Sequence, residues 1–154
     1  MSPSRSSTTA TPDLHSVAAA HLRVIGHTYP TRRRALVAIF ERATQPLSIP
    51  EILEEDHELA QSSVYRNLAV LELAGIVHRI VTKDEFARFE LSEAMSGHHH
   101  HHLICSSCGT VADVTLPAVV ETTVNREMNK LAKRHGFVPL SHQMDLIGLC
   151  AVCQ

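Results

Sequence analysis

Five consecutive histidines, residues 98–102, and two cysteine pairs, Cys105/Cys108 and Cys150/Cys153, are the residues of this sequence best suited to chemistry. Imidazole nitrogen and thiolate sulfur are prime donors for transition metals, so the chemistry they suggest is metal ligation. Each cysteine pair has a two-residue gap, which lets both thiolates of one turn grip a tetrahedral zinc at about 2.3 Å. Two such pairs complete a closed four-sulfur structural site, although the 41 residues between Cys108 and Cys150 exceed a short zinc-ribbon spacing. A thioredoxin-like redox pair would need a βαβ context and would leave the second pair unexplained. Four buried, reduced cysteines would not explain the pairing. The histidine run has the form of a purification tag, but a tag belongs at a terminus, and this run lies inside apolar-patterned sequence.

If the run leads into a strand at "HLIC", its side chains alternate between faces. His98, His100 and His102 then point one way, and His99 and His101 the other, so one run can feed two metal sites. Each pair needs further ligands from elsewhere. The candidates are His78 and Glu90 in the central part of the chain, Glu121, and His142. Each has a bland alternative: Glu90 and Glu121 as solvated carboxylates, His78 as a solvent-facing strand residue, and His142 as a core histidine bonded to backbone. The run itself can be a mere metal scavenger. His15, His21, His27, His57 and His135 read as surface or capping residues.

The elements that must position these groups follow from periodicity. Residues 1–14, rich in Ser, Thr and Pro, read as a flexible tail. A first helix runs from His15 to about Ile25 and ends near Gly26. Thr31 is the expected N-cap of a second helix, with Leu36, Ile39 and Phe40 at helical spacing. Ser48 and Glu51 form a capping-box pattern with Pro50 in the first turn. In "AQSSVYRNLAVLELAG", Val64, Leu68 and Leu71 mark a buried stripe, Ser62, Tyr65, Arg66 and Ala69 fall on another face, and Gly75 stops the helix.

Two strands joined at Lys83-Asp84-Glu85 follow, and helices plus a hairpin make a winged helix, in which one helix enters the major groove. Beyond the histidines come a strand, a cysteine knuckle and a strand. A helix then begins at Thr115 or Pro117, carries Val120, Val124, Met128 and Leu131 along one side, and stops at Gly136. A last strand is expected in "FVPLSHQMDLIGLC", with Leu140, His142, Met144 and Leu146 on one face. The fold class is thus α+β: a winged-helix domain over 15–92, a hinge over 93–97, and a small α/β metal-binding domain over 98–154.

The chain has 154 residues, 44% hydrophobic and 19% charged, a composition ordinary for a soluble globular protein. No apolar run approaches the ~20 residues of a membrane span and no signal-type segment opens the chain, so the cytoplasm is expected, with no membrane partner. A net charge of −2 does not announce a nucleic-acid binder. DNA contact would have to come from a local patch such as Arg32-Arg33-Arg34, doubled by dimerisation and helped by bound cations. Metal-assisted hydrolysis would need an open coordination position and a general base, and no H-E-x-x-H or comparable motif is present, so no small-molecule substrate is expected. A zinc-stabilised adaptor is a further class, but it has no need of Tyr65 and Arg66 on an exposed helix face.

The motifs "SSVYRNL" (62–68), "HHHHHLICSSCG" (98–109) and "HGF…SH…GLCAVC" (135–153) resemble the ferric uptake regulator superfamily of metal-responsive transcription factors. The resemblance covers the chain from about residue 15. It implies a homodimeric repressor that binds operator DNA when loaded with a regulatory metal. By position it assigns Tyr65 and Arg66, with Ser62 and Ser63 beside them, to DNA contact. It gives Cys105, Cys108, Cys150 and Cys153 to structural zinc, and Glu90, His100 and His102 to the sensing site. His99, His101, Glu121 and His142 fall to a second site. Iron-type members commonly carry a sensing histidine just before the third helix, where this chain has Leu47. His78 instead occupies a position used by zinc-sensing members, although the cysteine they often carry near the wing's end is missing at Glu90-Leu91-Ser92. A tetrahedral set of His78, Glu90, His100 and His102 favours zinc as the regulatory metal, with Fe2+ as the alternative and manganese, nickel or peroxide sensing behind them.

Overall fold

The computed structural model describes residues 13–82 and 87–154. The expected tail through residue 12 and the turn at Lys83-Asp84-Glu85 lie outside the described residues. The chain opens with α1 (Leu14–Val24), where Asp13 accepts a hydrogen bond from the Ser16 N–H and so caps one of the free amides of the first turn. Ala18 and Leu22 are its buried residues.

Helix α2 (Thr31–Arg42) departs from expectation at its start. Pro30, not Thr31, is the N-cap, and its carbonyl accepts from the N–H groups of Arg33 and Arg34. No side chain caps this end, because Thr31 already sits within the first turn. Leu36, Val37, Ile39 and Phe40 form its buried face.

Strand β1 (Leu47–Ser48) leads into α3 (Ile49–Glu55), whose capping box is complete: Glu51 Oε2 accepts from the Ser48 N–H at 2.7 Å, and Ser48 Oγ accepts from the Glu51 N–H. Helix α4 (Gln61–Leu73) buries Val64, Leu68 and Leu71 as its spacing requires. Gly75, at φ 67°, supplies the left-handed turn that lets Ile76 N–H reach back to Leu71 O.

Strands β2 (Val77–Ile80) and β3 (Arg88–Leu91) pair antiparallel, and β1 adds to β3, giving the sheet order β1-β3-β2. The core of this winged-helix unit joins α1 to α4 with Ile76, just before β2, and with Val77 and Phe89 of the sheet. Truncating a fully buried member such as Leu68 to alanine costs about 2–5 kcal/mol.

A four-residue helix, α5 (Glu93–Ser96), ends at Gly97 with φ 71° and carries the chain to the second sheet. That sheet contains β4 (His101–Cys105), β5 (Val111–Val114) and β6 (Asp145–Gly148) in the order β5-β4-β6, with β4 antiparallel to β5 and parallel to β6. Between β5 and β6, Pro117 is the N-cap of α6 (Ala118–Arg134).

The expected long last strand is shorter than its alternation suggested. It begins only at Asp145, and Leu140 is 96% exposed. Pro139 has no N–H to offer a ladder, so residues 137–144 approach β6 as an irregular segment. Among the described residues, the buried apolar cluster touching this sheet is Ile80, Ile104 and Val111, while Val120, Met128 and Leu131 on α6 and Phe137, Val138 and Ile147 remain exposed. Among the described residues, no helix is long and apolar enough to cross a membrane.

Candidate metal centres

The parallel register sets Cys105 beside Gly148 and so delivers Cys150 and Cys153 to the turn that holds Cys108. One sulfur from each of Cys105, Cys108, Cys150 and Cys153 lies within 4.8 Å of all the others, and none is in a disulfide. Cys108 and Cys150 sulfurs are 3.7 Å apart. Four sulfurs at 2.3 Å around a tetrahedral zinc stand roughly 3.8 Å from one another. The separation therefore fits zinc ligands and is far from a disulfide bond of about 2.05 Å. Backbone N–H groups from the two turns, that of Cys108 first and then that of Cys150, draw the Cys105 thiol down to about 6. Cys153 is lowered by Ser107 but raised more by the surrounding sulfurs, and ends at about 12. Crowded thiols resist losing all four protons unless a cation shares the charge, so this donor set fits structural zinc.

Strand β4 starts at His101, yet the alternation of the histidines extends back to His99. On one side, the Glu90 carboxylate from β3 spans two imidazoles, with Oε2 3.1 Å from His100 Nε2 and Oε1 3.1 Å from His102 Nε2. Asp113 completes this cluster. Register explains the company: His102 stands opposite Asp113 on β5 and Asp145 on β6, and Asp145 Oδ1 is 3.1 Å from His102 Nδ1. Burial pushes the Glu90 carboxyl up, but hydrogen bonds from His102 and His100 outweigh it and hold it below its ordinary value. Burial lowers His102, yet Glu90 and Asp145 leave it raised. Asp113 is raised by burial and by the neighbouring Glu90 charge.

His78 is not among the clustered ligands. It lines the same cavity of about 400 Å3 as Glu90, His100 and His102, but Gln143 Nε2 donates to its Nε2 at 2.5 Å. No spacing signal in the sequence marks Asp113 and Asp145, because only strand register brings them to His102.

On the other side, His99, His101, Glu121 and His142 converge within the same 4.8 Å limit. Glu121 Oε2 is 3.0 Å from His101 Nε2, and Oε1 is 3.1 Å from His99 Nε2 and 3.2 Å from His142 Nε2. His99 Nε2 and His142 Nε2 are nonetheless buried without an aligned hydrogen bond, as is His101 Nδ1. His99 Nε2 and His142 Nε2 thus approach Glu121 closely without a hydrogen bond. Buried imidazole nitrogens without partners are costly unless a cation takes their lone pairs, so this set also fits a divalent metal. Glu121 is held below its ordinary value, chiefly by the hydrogen bond from His101.

Tyr65, 56% exposed, and Arg66 project from α4, and Arg66 Nε donates to the Ser62 carbonyl at 3.2 Å. Ser62 is exposed beside them. Ser63, which the resemblance sets beside the DNA contacts, is buried, and its hydroxyl accepts from Asn67 Nδ2 at 3.1 Å. One position along a helix is a rotation of about 100°, which turns Ser63 toward the α2–α4 contact while Ser62 stays outside. Arg32 is exposed at the start of α2, and with Arg33, Arg66 and Asn67 it lines a groove between the two helices. Arg33 is tied to Asn67 Oδ1 at 3.0 Å, and Arg34 lies over the Tyr29 ring. His21 Nδ1 meets the Ala74 carbonyl at 3.1 Å, as a capping residue should.

The family model described as "Ferric uptake regulator family" matches residues 25–147. The chain is 40% identical over 103 residues to the ferric uptake regulation protein of Bordetella parapertussis, covering 67% of this chain and 68% of that protein. The protein of the same name from Cupriavidus metallidurans is 30% identical over 136 residues, covering 85% and 90%. Among solved structures, the Helicobacter pylori ferric uptake regulator, described as having three functional metal binding sites, superposes with a TM-score of 0.69 at 25% identity over 92% of each chain. The chain belongs to the ferric uptake regulator family, whose members are metal-responsive transcription regulators and not enzymes.

Proposed function

We propose that this protein is a homodimeric repressor that grips operator DNA through α4 when a divalent metal occupies the cluster of Glu90, His100, His102 and Asp113. The observation that carries the reading is the single Glu90 carboxylate from the wing strand, shared by two imidazoles of the second sheet. A divalent cation there supplies a positive centre between carboxylates and imidazoles that otherwise meet as hydrogen-bond partners. Glu90 would fasten the wing to β4, and residues 93–97 would act as the hinge between units 15–92 and 98–154. Fixing that angle in a dimer sets the distance between two recognition helices, which must match half-sites about one turn, ~34 Å, apart. Loading thus selects the DNA-competent state.

Tyr65 and Arg66, with Ser62 at their side, are the proposed contacts to bases and backbone, and Arg32 a phosphate contact. The bare apolar residues of α6 and of segment 137–140 support dimerisation, since the second sheet has little core of its own to cover them. Cys105, Cys108, Cys150 and Cys153 would hold a structural zinc, and His99, His101, Glu121 and His142 a second divalent ion.

For the regulatory metal, the donor set points to Fe2+. Two carboxylates and two imidazoles make an oxygen-richer set than the three-nitrogen arrangement that favoured zinc, and the Bordetella and Cupriavidus relatives are named for ferric uptake. Zinc is the second reading, favoured by His78 in the same cavity. Operator binding by protein with an intact cysteine site, titrated separately with Fe2+, Zn2+, Mn2+ and Ni2+, decides between them. Replacing both His100 and His102 with alanine should abolish metal-dependent binding and leave the cysteine-bound zinc. Unchanged metal-dependent binding in that double variant would refute the assignment.

A further inference from the structure

Glu93, on the short helix between the two sheets, lines the cavity that holds Glu90, His100 and His102, but it is not one of the ligands proposed for regulation. Its Oε1 lies 2.5 Å from His99 Nδ1, while the opposite nitrogen of the same ring, His99 Nε2, is directed at Glu121 and is buried without an aligned hydrogen bond. A carboxylate on Nδ1 holds the proton on that nitrogen and leaves the Nε2 lone pair bare, which is the tautomer a metal requires. The same helix is anchored on its other side: Met95 packs against the core of the winged-helix unit, and α5 lies against α1. One turn of helix therefore has one residue in the DNA-binding unit and another on an imidazole of the second cluster.

We infer that Glu93 is a positioning residue for the second site, orienting His99 for a divalent cation and making occupancy of that site restrain the inter-domain helix α5. The inference rests on the reading of His99, His101, Glu121 and His142 as a metal site. Glu93 is itself a partner of the ligand and not a ligand, because the carboxylate that reaches the common centre is that of Glu121. The second site then bears on DNA binding through the hinge, by a route separate from the Glu90 link of the first. Loading it orders residues 93–97 and leaves fewer inter-domain angles open.

The test uses full-length protein with zinc on the cysteines and the histidine sites stripped, titrated with Co2+ and followed by its visible d–d absorption. Wild type should take two equivalents per chain and His142→Ala one. Glu93→Gln, with Glu93→Ala as a second variant, should bind the first equivalent normally and the second about 10–100-fold more weakly. At Co2+ concentrations that saturate both sites, amide exchange over residues 93–97 should slow in wild type and stay fast in the Glu93 variants. A purely structural role would not produce that metal-dependent difference. Wild-type affinity and wild-type protection in Glu93→Gln overturn the inference while the His142→Ala result leaves the site standing. If wild type takes only one equivalent and His142→Ala changes nothing, the metal-site reading falls and this inference with it.

Discussion

Asp145 stands directly opposite His102 across the parallel β4–β6 ladder, its carboxylate oxygen 3.1 Å from His102 Nδ1. That contact holds the proton on Nδ1 and presents Nε2 to Glu90, the arrangement by which outer carboxylates tune imidazole ligands. Asp145→Ala is therefore expected to weaken regulatory-site metal binding about 10–100-fold without loss of cysteine-bound zinc. Competition titration with a coloured chelator measures it, and an unchanged affinity would show the contact to be incidental.

Arg66 and Arg32 should fail differently on DNA. Arg66→Ala is expected to cost about 1–3 kcal/mol on operator sequence and to narrow the gap between operator and random DNA. Arg32→Ala should weaken both alike and lower the slope of log K against log salt by about one. Fluorescence anisotropy at several salt concentrations separates the two. Equal loss of specificity in both variants would contradict the division of labour.

Removing one sulfur of the clamp should release its metal. Cys150→Ser is expected to lower the zinc content by one per chain and to speed amide exchange in β6, because the parallel pairing of β6 with β4 is short and the clamp lies just beyond it. Elemental analysis with exchange mass spectrometry checks both. Full zinc in that variant would count against the four-sulfur site.

Glu51 gives a prediction in pH. Burial pushes its carboxyl up, but the hydrogen bonds from Ser48 and the Arg88 guanidinium 2.8 Å away hold it below the ordinary 4.5. Since the folded-state value is the lower one, this stabilisation is complete above the unfolded carboxylate range and is lost as pH falls through the folded value. The Glu51 side chain is 38% exposed, so solvent screening keeps the effect to about 1 kcal/mol or less, roughly 2–4 °C in Tm. Glu51→Gln should melt lower than wild type at pH 7, with the gap shrinking below about pH 4 as wild-type Glu51 protonates. A gap that stays constant into acid would rule out the charge as its source.

The two-residue period of a strand was enough to divide the histidine run, because side-chain alternation is a property of backbone geometry and persists at His99 and His100 before the ladder begins. The Val64, Leu68 and Leu71 stripe and the Ser48–Glu51 box were equally legible, being local. Asp113, Asp145 and Glu93 were not, since their roles come from strand register and from the path of a four-residue helix. The irregular approach to β6 misled for a related reason. Apolar residues at alternate positions usually face a core, but here Leu140 and Leu146 face outward, where the single chain has nothing to cover them.

Strand β6 brings Asp145 to His102, and the cysteines just beyond it bind the chain back to the turn after β4. The proposed clamp and the proposed sensor share one short piece of backbone, so the first can act on the second without touching it. Were the cysteines left without a metal, β6 would be held by its four-residue ladder alone, and Asp145 at His102 would loosen with it, as would the segment that carries His142. The response to one metal would then depend on the supply of another.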